Sequence, residues 1–374
     1  MARKVNKKEL LDKQRIAIIC EGTETERPYF EEMVKLSPTL STDDVLIYPI
    51  KSEKKTGSLK ENGDYYPGVH DEAYSSYSYE PMRWVRAAEL IISKEKCTEG
   101  WAVYDADNNQ GGRSLQSHKN TIDHSQGIKN LYVAFSSYSF EEWFLLHYER
   151  NSKDFHDSEC TFENSKGKNE KVNCGSKNCT NPNDCKGEKC LGGYLRHNSL
   201  LEIVKDGKTL EFQKGLGREY ARITKDMLHQ ACVNAAWSRV LEPTKKSYEC
   251  NPYTDVDQLV MKLLNDKWEV KWNICWWKVD CPFSLGGESF RIVCIENDIY
   301  IHYEGTNPVE LISRNDIYWC DGNLNSNYSA IAYACDSKNI NFSKSKDVKL
   351  LNKPNCHSIL CVKRNNQEYY FEIH

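Results

Sequence analysis

The chain has 374 residues, of which 39% are hydrophobic, 11% aromatic and 28% charged. This length allows two or three domains with cores of their own, and the aromatic content excludes wholesale disorder. The chain has no run of about 20 apolar residues, which a transmembrane helix needs, and its basic start leads only to an apolar run too brief for a secretory signal. We therefore expect a soluble, cytoplasmic protein with no membrane partner.

The formal net charge is −4 at pH 7. This value excludes a generally basic protein that coats nucleic acid. It does not exclude a nuclease, because a nuclease needs only a local basic surface beside an acidic metal site. The chain also contains 16 cysteines. Because disulfides are rare in a reducing cytoplasm, we do not interpret these cysteines as a disulfide framework.

The first of four predicted segments, residues 1–150, alternates short apolar runs with helical patterns. Buried strands are predicted over Ile16–Cys20, Gly100–Tyr104 and Leu131–Phe135. The helices predicted in this segment cover residues 25–36, Pro81–Cys97 and Phe140–His147. Strands that are separated by helices predict an α/β fold with a parallel sheet and right-handed crossovers.

The second and third segments differ in composition. Residues 151–193 are polar and rich in Lys, Asn and Cys, so they cannot bury enough apolar surface to fold unaided. Residues 194–265 are predicted to be helical, with a final helix over Gln258–Leu264. An apolar stripe at i, i+4 spacing in this segment is formed by Ile223, Met227, Ala231 and Ala235.

The fourth segment, residues 266–374, is predicted to be a small all-β domain, either a sandwich or a barrel. Apolar and polar residues alternate over Trp268–Trp276, which predicts a strand with one buried face and favours core packing over stacking on bases. Phe290–Ile295 and Ile299–Tyr303 flank a short turn and predict a hairpin. Further strands are predicted over Ile317–Cys320, Ile331–Cys335, Ile359–Val362 and Tyr369–Ile373.

Acidic residues follow the three predicted strands of the first segment, namely Glu21, Asp105, Asp107 and Glu141. In an open α/β sheet, sites form at the carboxyl ends of the strands. Each acid alone is more simply a helix cap or a solvated turn residue, but four acids at one edge would repel one another unless a cation held them. Their oxygen ligands suit Mg²⁺ or Mn²⁺, which support phosphoryl chemistry. The hypothesis requires that the four side chains meet around one ion, without a lysine between them.

The motifs that contain these acids resemble a known family. The segment Cys20–Phe30 matches the pattern C-E-G-x-x-T-E-x-x-Y-F, and Asp105-x-Asp107 follows a second strand, as in Toprim proteins. The segment Ser136–His147 is similar to S-N-P-x-F-E-x-W-x-L-L-H, with Ser137-Tyr138 in place of the Asn-Pro pair. Together with a later stretch that resembles P-x-T-x-V-x-x-L-V, these motifs make residues 14–265 similar to the RloB-like proteins of bacterial defence loci.

The resemblance implies a Toprim fold and a divalent-metal-dependent nuclease that cuts RNA, including tRNA, or DNA in anti-phage defence. It implies that Glu21 acts as a general acid or base or as a metal ligand and that Asp105 and Asp107 hold the metal. Glu141 would be a further ligand or would orient one, and Glu26 would contact the site. The short run Gly215-Leu216-Gly217 is not a phosphate-binding loop, and no Walker motif favours a primase.

A cysteine cluster in the second segment predicts a structural zinc site. Its four thiolates lie within a polar stretch and are Cys174, Cys179, Cys185 and Cys190. Four thiolates fit a tetrahedral zinc ion, whose binding energy would replace the missing hydrophobic core. One ligand could be replaced by Cys160, His156 or His197, and the alternative is a set of free surface thiols.

Two other functional classes stay open beside the nuclease. The first is a non-catalytic binding protein that retains a Toprim shell and uses its acids structurally. The second is a sensor whose C-terminal β-domain recognises a partner or a trigger. The partners that we predict are therefore a nucleic-acid substrate and a defence-system protein or trigger at the β-domain, and a homo-oligomer is left open.

Overall fold

A computed structural model defines the fold over the following residues: 15–48, 50–51, 64–65, 81–106, 114–163, 166–167, 169–171, 174–176, 187–242, 244–264, 273–285, 287–295, 298–305, 310–313, 316–321, 330–334, 339–342, 346–350, 358–364 and 367–372. The chain forms two compact units. The α/β unit comprises Met1–Leu145, Asn151–Asp226 and Glu242–Asp266, and the β unit comprises Leu146–Arg150, Met227–Leu241 and Lys267–His374. Within the described residues, no helix combines the length and the apolar composition needed to span a membrane.

The α/β unit contains eleven strands among the described residues. They are β1 (Ile16–Cys20), β2 (Val45–Tyr48), β3 (Ile50–Lys51), β4 (Asp64–Tyr65), β5 (Glu99–Asp105), β6 (Leu131–Ser137), β7 (Thr161–Glu163), β8 (Asn169–Lys171), β9 (Ile203–Lys205), β10 (Lys208–Leu210) and β11 (Tyr253–Thr254). The helices, in chain order, are α1 (Glu26–Leu36), α2 (Met82–Glu95), α3 (Leu115–Gln126), α4 (Glu141–Leu145), α5 (Leu191–His197), α6 (Gly217–Thr224), α7 (Leu228–Leu241) and α8 (Val256–Leu264). Of these helices, α7 belongs to the β unit.

The main sheet of the α/β unit has the strand order β11-β6-β5-β1-β2. Strand β1 is parallel to β2 and β5, and β5 is parallel to β6, whereas β11 runs antiparallel to β6. All five residues of β1 are fully buried, as expected of a strand that is covered on both faces. On one face, Ala17 and Ile19 share a core with Trp84, Ala88 and Ile91 of α2. The sheet and its helices confirm the predicted α/β class.

The sequence patterns did not predict β2, β11 or α3. Helix α3 has a polar sequence, so its apolar periodicity is weak; it buries His118, Thr121 and Ser125, and its N-cap Ser114 accepts a hydrogen bond from the Ser117 amide. Strand β11 has only two residues. A strand this short gives no period-2 pattern, so only its tertiary pairing with β6 reveals it.

The stripe predicted in the third segment does not lie on one helix. Helix α6 ends at Thr224, a 3₁₀ turn covers Lys225–Met227, and α7 begins at Leu228. Ile223 is 39% exposed, whereas Ala231 and Ala235 are buried in α7. The two halves of the stripe belong to different units, because α7 packs against the first strand of the β unit. The two compact units therefore divide the chain at other residues than the four predicted segments do.

The β unit contains eleven strands among the described residues. They are β12 (Asn273–Trp276), β13 (Phe283–Leu285), β14 (Glu288–Ile295), β15 (Asp298–Tyr303), β16 (Glu310–Ser313), β17 (Ile317–Asp321), β18 (Ala330–Tyr333), β19 (Asn339–Asn341), β20 (Asp347–Lys349), β21 (Ser358–Arg364) and β22 (Gln367–Phe371). A five-stranded sheet has the order β12-β22-β21-β17-β18, and a four-stranded sheet has the order β13-β14-β15-β20. The predicted hairpin is confirmed as β14 and β15, which pair antiparallel.

Both sheets of the β unit contribute to one core. Phe290 and Ile301 of the four-stranded sheet share a hydrophobic cluster with Trp319 and Leu360 of the five-stranded sheet. Two sheets that share a core between their inner faces form a sandwich, which confirms the predicted all-β class.

The tryptophan-rich strand is described from Asn273, and the earlier part of the predicted strand, including Trp268, lies outside the described residues. Trp276 is buried, and its Nε1 donates a hydrogen bond to the carbonyl oxygen of Val233 in α7 at 2.8 Å. Trp277 is 40% exposed. The described part therefore supports the prediction that the alternating tryptophans are core residues.

Candidate functional site

Glu21 and Asp105 lie side by side at the carboxyl ends of β1 and β5. The register of these parallel strands pairs Cys20 with Val103, so both strands end at the same edge of the sheet. The Glu21 amide donates to the carbonyl oxygen of Val103 at 2.9 Å, and the Asp105 amide donates to Glu21 Oε2 at 3.1 Å. Backbone contacts therefore hold the Glu21 carboxylate beside the end of β5.

Glu26 is the first residue of α1 and is buried. Its carboxylate lies directly over Gly22, where an added Cβ would collide with Glu26 Oε2. Glycine in the Glu21-Gly22 pair is thus explained by a close approach of side chain to backbone. Burial, together with the carboxylates of Glu21 and Glu141, raises the pKa of Glu26 to about 8, although Lys214 acts in the opposite direction. Glu26 therefore holds a proton at neutral pH.

Glu141 begins α4, just beyond the end of β6, and is buried. The same short helix places Trp143 in the core, where its Nε1 donates a hydrogen bond to the hydroxyl oxygen of Tyr29 at 2.6 Å. Tyr29 belongs to the first motif and Trp143 to the later one. This buried bond therefore connects the two motifs and fixes the helix that carries Glu141 relative to the helix that carries Glu26.

Lys214 is a site residue that the sequence patterns did not reveal. Its Nζ lies 3.5 Å from Glu141 Oε2. Burial lowers the pKa of Lys214, but the carboxylates of Glu141, Asp105, Glu159 and Glu26 raise it by more, so its pKa lies above the usual value and the side chain is charged.

The glycines that follow Lys214 bring its loop against the start of α1. The Gly215 amide donates a hydrogen bond to Thr25 Oγ1 at 3.1 Å, and Gly215 has a φ of +88°. A Cβ at Gly217 would overlap the carbonyl oxygen of Thr25. The Gly-x-Gly run is thus the sequence signal that could have indicated the loop, because it marks a close backbone approach rather than a phosphate-binding loop.

The structure brings four predicted acids to one edge of the sheet, but not as one compact ligand group. Glu21 contacts Asp105, Glu26 interacts electrostatically with Glu21 and Glu141, and Asp107 lies outside the described residues. Over the described ranges, the only group of His, Cys, Asp and Glu ligand atoms that all lie within 4.8 Å of one another is a cysteine group. A lysine is also paired with Glu141, whereas the sequence hypothesis required that no lysine lie among the acids.

These residues nevertheless fit a divalent cation. Glu21 and Asp105 supply carboxylate oxygens, the ligand type that Mg²⁺ and Mn²⁺ prefer. The raised pKa of Glu26 indicates that negative charge is crowded at this edge. The arrangement therefore assigns metal binding to Glu21 and Asp105, with Glu141 paired to Lys214 and Glu26 protonated.

The cysteine group consists of Cys160, Cys174 and Cys190. Cys174 and Cys190 belong to the predicted zinc site, and Cys160 was an alternative ligand. Cys179 and Cys185 lie outside the described residues. The two histidines that were considered as substitutes, His156 and His197, are exposed and are not part of the group.

The fold and its acidic edge define an α/β protein with a charged site at the carboxyl ends of parallel strands. A family model described as "RloB-like protein" matches residues 16–263, a range that contains all the motifs discussed above. Because this match covers most of the chain, the protein belongs to the RloB-like family. Neither the search of curated proteins nor that of solved structures finds a match.

Proposed function

We propose that this RloB-like protein is a divalent-metal-dependent nuclease of the Toprim type, which hydrolyses phosphodiester bonds in RNA, including tRNA, or in DNA. The observation that carries the proposal is the meeting of Glu21 and Asp105 at one sheet edge, beside the buried Glu26 and Glu141. Mg²⁺ or Mn²⁺ would be held by Glu21 and Asp105, with Asp107 as a further ligand predicted from the sequence. When bound, such an ion polarises the phosphate and activates water.

The remaining residues of the site have complementary roles in this proposal. Glu26 titrates near pH 8, which suits a group that holds or gives a proton close to neutral pH. Lys214 carries a positive charge that suits contact with a phosphate oxygen, and Glu141 keeps its ammonium group at the site. Glu21 and Glu26 are thus close in space but differ in task, because the buried carboxyl is the protonated one.

The proposed biological role is bacterial anti-phage defence, which rests on membership of the RloB-like family and on the resemblance of the motifs to defence-locus proteins. A nuclease of this kind would harm its own cell if it were always active. We therefore assign the reception of a trigger, or of a partner protein, to the β unit. A plaque assay checks this role: cells that express the wild type should resist phage, and cells that express Asp105→Ala should not.

A second candidate is a non-catalytic binding protein that uses the acids structurally. The pairing of Lys214 with Glu141 favours it, because an acid that is neutralised by a lysine does not need a metal ion. The two candidates differ in what they predict for Asp105, which is a metal ligand in the first and a structural residue in the second.

The test is a cleavage assay with the purified full-length protein, Mn²⁺ or Mg²⁺, and a mixture of RNA and DNA. Wild type should cut, and Asp105→Ala should lose activity by roughly 100-fold or more and bind Mn²⁺ more weakly in calorimetry. The matched control is Asp123→Asn, which removes an acid that is paired with Lys119 on the surface of α3 and should leave cleavage unchanged. Equal cleavage by wild type and Asp105→Ala would refute the nuclease. If no cleavage occurs and Mn²⁺ binding does not depend on Asp105, the second candidate stands.

A further inference from the structure

We propose that Cys160, Cys174 and Cys190 bind a structural zinc ion, and that this site holds the loop that carries Lys214. The three Sγ atoms lie within 4.8 Å of one another. Thiolates around a tetrahedral zinc ion at about 2.3 Å have sulfurs about 3.8 Å apart, so the group needs only a small contraction to bind the metal. Cys174 and Cys190 are buried and Cys160 is half-buried.

The backbone around the sulfurs is shaped by glycines. A Cβ at Gly193 would lie 2.7 Å from Cys190 Sγ and 3.1 Å from Cys174 Sγ. Gly175 has a φ of +77°, and a Cβ there would overlap the carbonyl oxygen of Gly193. Two backbone segments thus close around the sulfurs at a distance that leaves no room for side chains. This packing makes a small, closed cage of thiolates, as in structural rather than catalytic zinc sites.

The cysteine group is connected to the loop of Lys214 by one guanidinium group. Arg196 of α5 is buried, and its Nε donates a hydrogen bond to the carbonyl oxygen of Cys174 at 2.8 Å. Its Nη1 lies 3.1 Å from Oε1 of Glu159, the neighbour of Cys160, and also donates to the carbonyl oxygen of Phe212 at 3.5 Å. Arg196 therefore contacts the chain beside two of the cysteines and the chain two residues before Lys214.

A second set of contacts fixes the loop on its other side. The rings of Phe212 and Tyr220 stack at 5.5 Å. The Tyr220 hydroxyl donates to the carbonyl oxygen of Gln213 and accepts from its amide, both at 2.8 Å. Because Gln213 directly precedes Lys214, a displacement of Arg196 on loss of the metal would reach Lys214 through these few contacts.

The proposal changes the ligand set that the sequence alone suggested. The sequence pattern favoured Cys174, Cys179, Cys185 and Cys190, whereas the described residues group the first and last of these with Cys160. Binding converts each thiol to a thiolate and releases its proton, so zinc affinity falls as the pH falls. The fourth position of a tetrahedral site is assigned by replacing Cys179 and Cys185 one at a time.

The first experiment measures zinc in the full-length protein by mass spectrometry and by the charge-transfer absorption of Co²⁺ bound to thiolates. Wild type should contain one zinc ion per chain, and Cys160→Ser, Cys174→Ser and Cys190→Ser should each bind zinc at least about tenfold more weakly. Cys294→Ser, which replaces an exposed thiol of the β unit, is the matched control and should keep the zinc. A wild type that takes up neither metal, or a Cys160→Ser variant with unchanged zinc affinity, would overturn the site.

The second experiment tests the connection to Lys214 without any use of nuclease activity. Removal of zinc by a chelator should increase the acetylation rate of Lys214 several-fold, as measured by peptide mass spectrometry. Lys119, an exposed lysine of α3, should react at the same rate with and without zinc. If the Lys214 rate is unchanged while zinc is fully removed, the zinc ion does not position the loop. Because the readouts are metal content and acetylation, failure of the nuclease proposal would leave these results interpretable.

Discussion

Replacement of Glu26 by Gln is expected to change how the stability of the protein depends on pH. The pKa of Glu26 is about 8 in the folded protein against 4.5 for an ordinary Glu, chiefly because the carboxyl is buried. Between these two values the native state holds a proton that the unfolded state has released. The unfolding free energy of the wild type must therefore fall as the pH rises from about 4.5 to about 8.

The size of this effect follows from the same two pKa values. One pKa unit corresponds to about 1.4 kcal/mol, so ionisation across the full range costs the native state about 5 kcal/mol. Between pH 5 and pH 8 we expect a loss of roughly 3–4 kcal/mol in the wild type from this group alone. Gln has no proton to lose. Glu26→Gln should therefore match the wild type most closely near pH 5 and exceed it in stability near pH 8.

The assay is urea unfolding at a series of pH values without added divalent ions, because a bound cation would itself lower the pKa of Glu26. The matched control is Glu24→Gln, which changes an exposed glutamate two residues away and should keep the pH dependence of the wild type. Parallel stability curves for wild type and Glu26→Gln from pH 5 to pH 8 would show that Glu26 is ionised in the native state, and the argument for its role as a proton donor would then be lost.

Two further predictions concern neighbours of the site. Lys214→Gln should shift the titration of Glu26 to higher pH, because Lys214 lowers the pKa of Glu26, whereas Lys214→Arg should not; an unchanged midpoint in the unfolding series for Lys214→Gln would contradict the proximity of the two groups. Asn151→Ala should destabilise the α/β unit by about 1–3 kcal/mol, because Asn151 Nδ2 donates to both carboxylate oxygens of the buried Glu142, each at 3.0 Å. The exposed amide of Asn198 is the control for denaturant unfolding, and an Asn198→Ala variant that costs as much as Asn151→Ala would show that burial does not set the effect.

The amino-acid sequence was sufficient to predict the strands and their order of appearance in the α/β unit, as well as the acids that follow them. Strand β1 is apolar throughout and ends at Glu21, and β5 ends at Asp105, so local composition alone marks where each strand stops. Because parallel strands place their carboxyl ends at one edge, those positions predict that Glu21 and Asp105 meet, and the structure does bring them together.

The partners of these residues were decided by the tertiary structure. Lys214 reaches Glu141 across 73 residues of chain only because its loop packs on the start of α1, and Cys160 joins Cys174 and Cys190 only through the folding of a polar segment. Neither contact has a periodic signal, since hydrophobic periodicity reports which face of an element is buried and not which loop will cover it. Composition and spacing thus determined the elements and the chemical types at the sheet edge, whereas the charge balance at that edge and the ligand set of the cysteines were fixed by long-range packing.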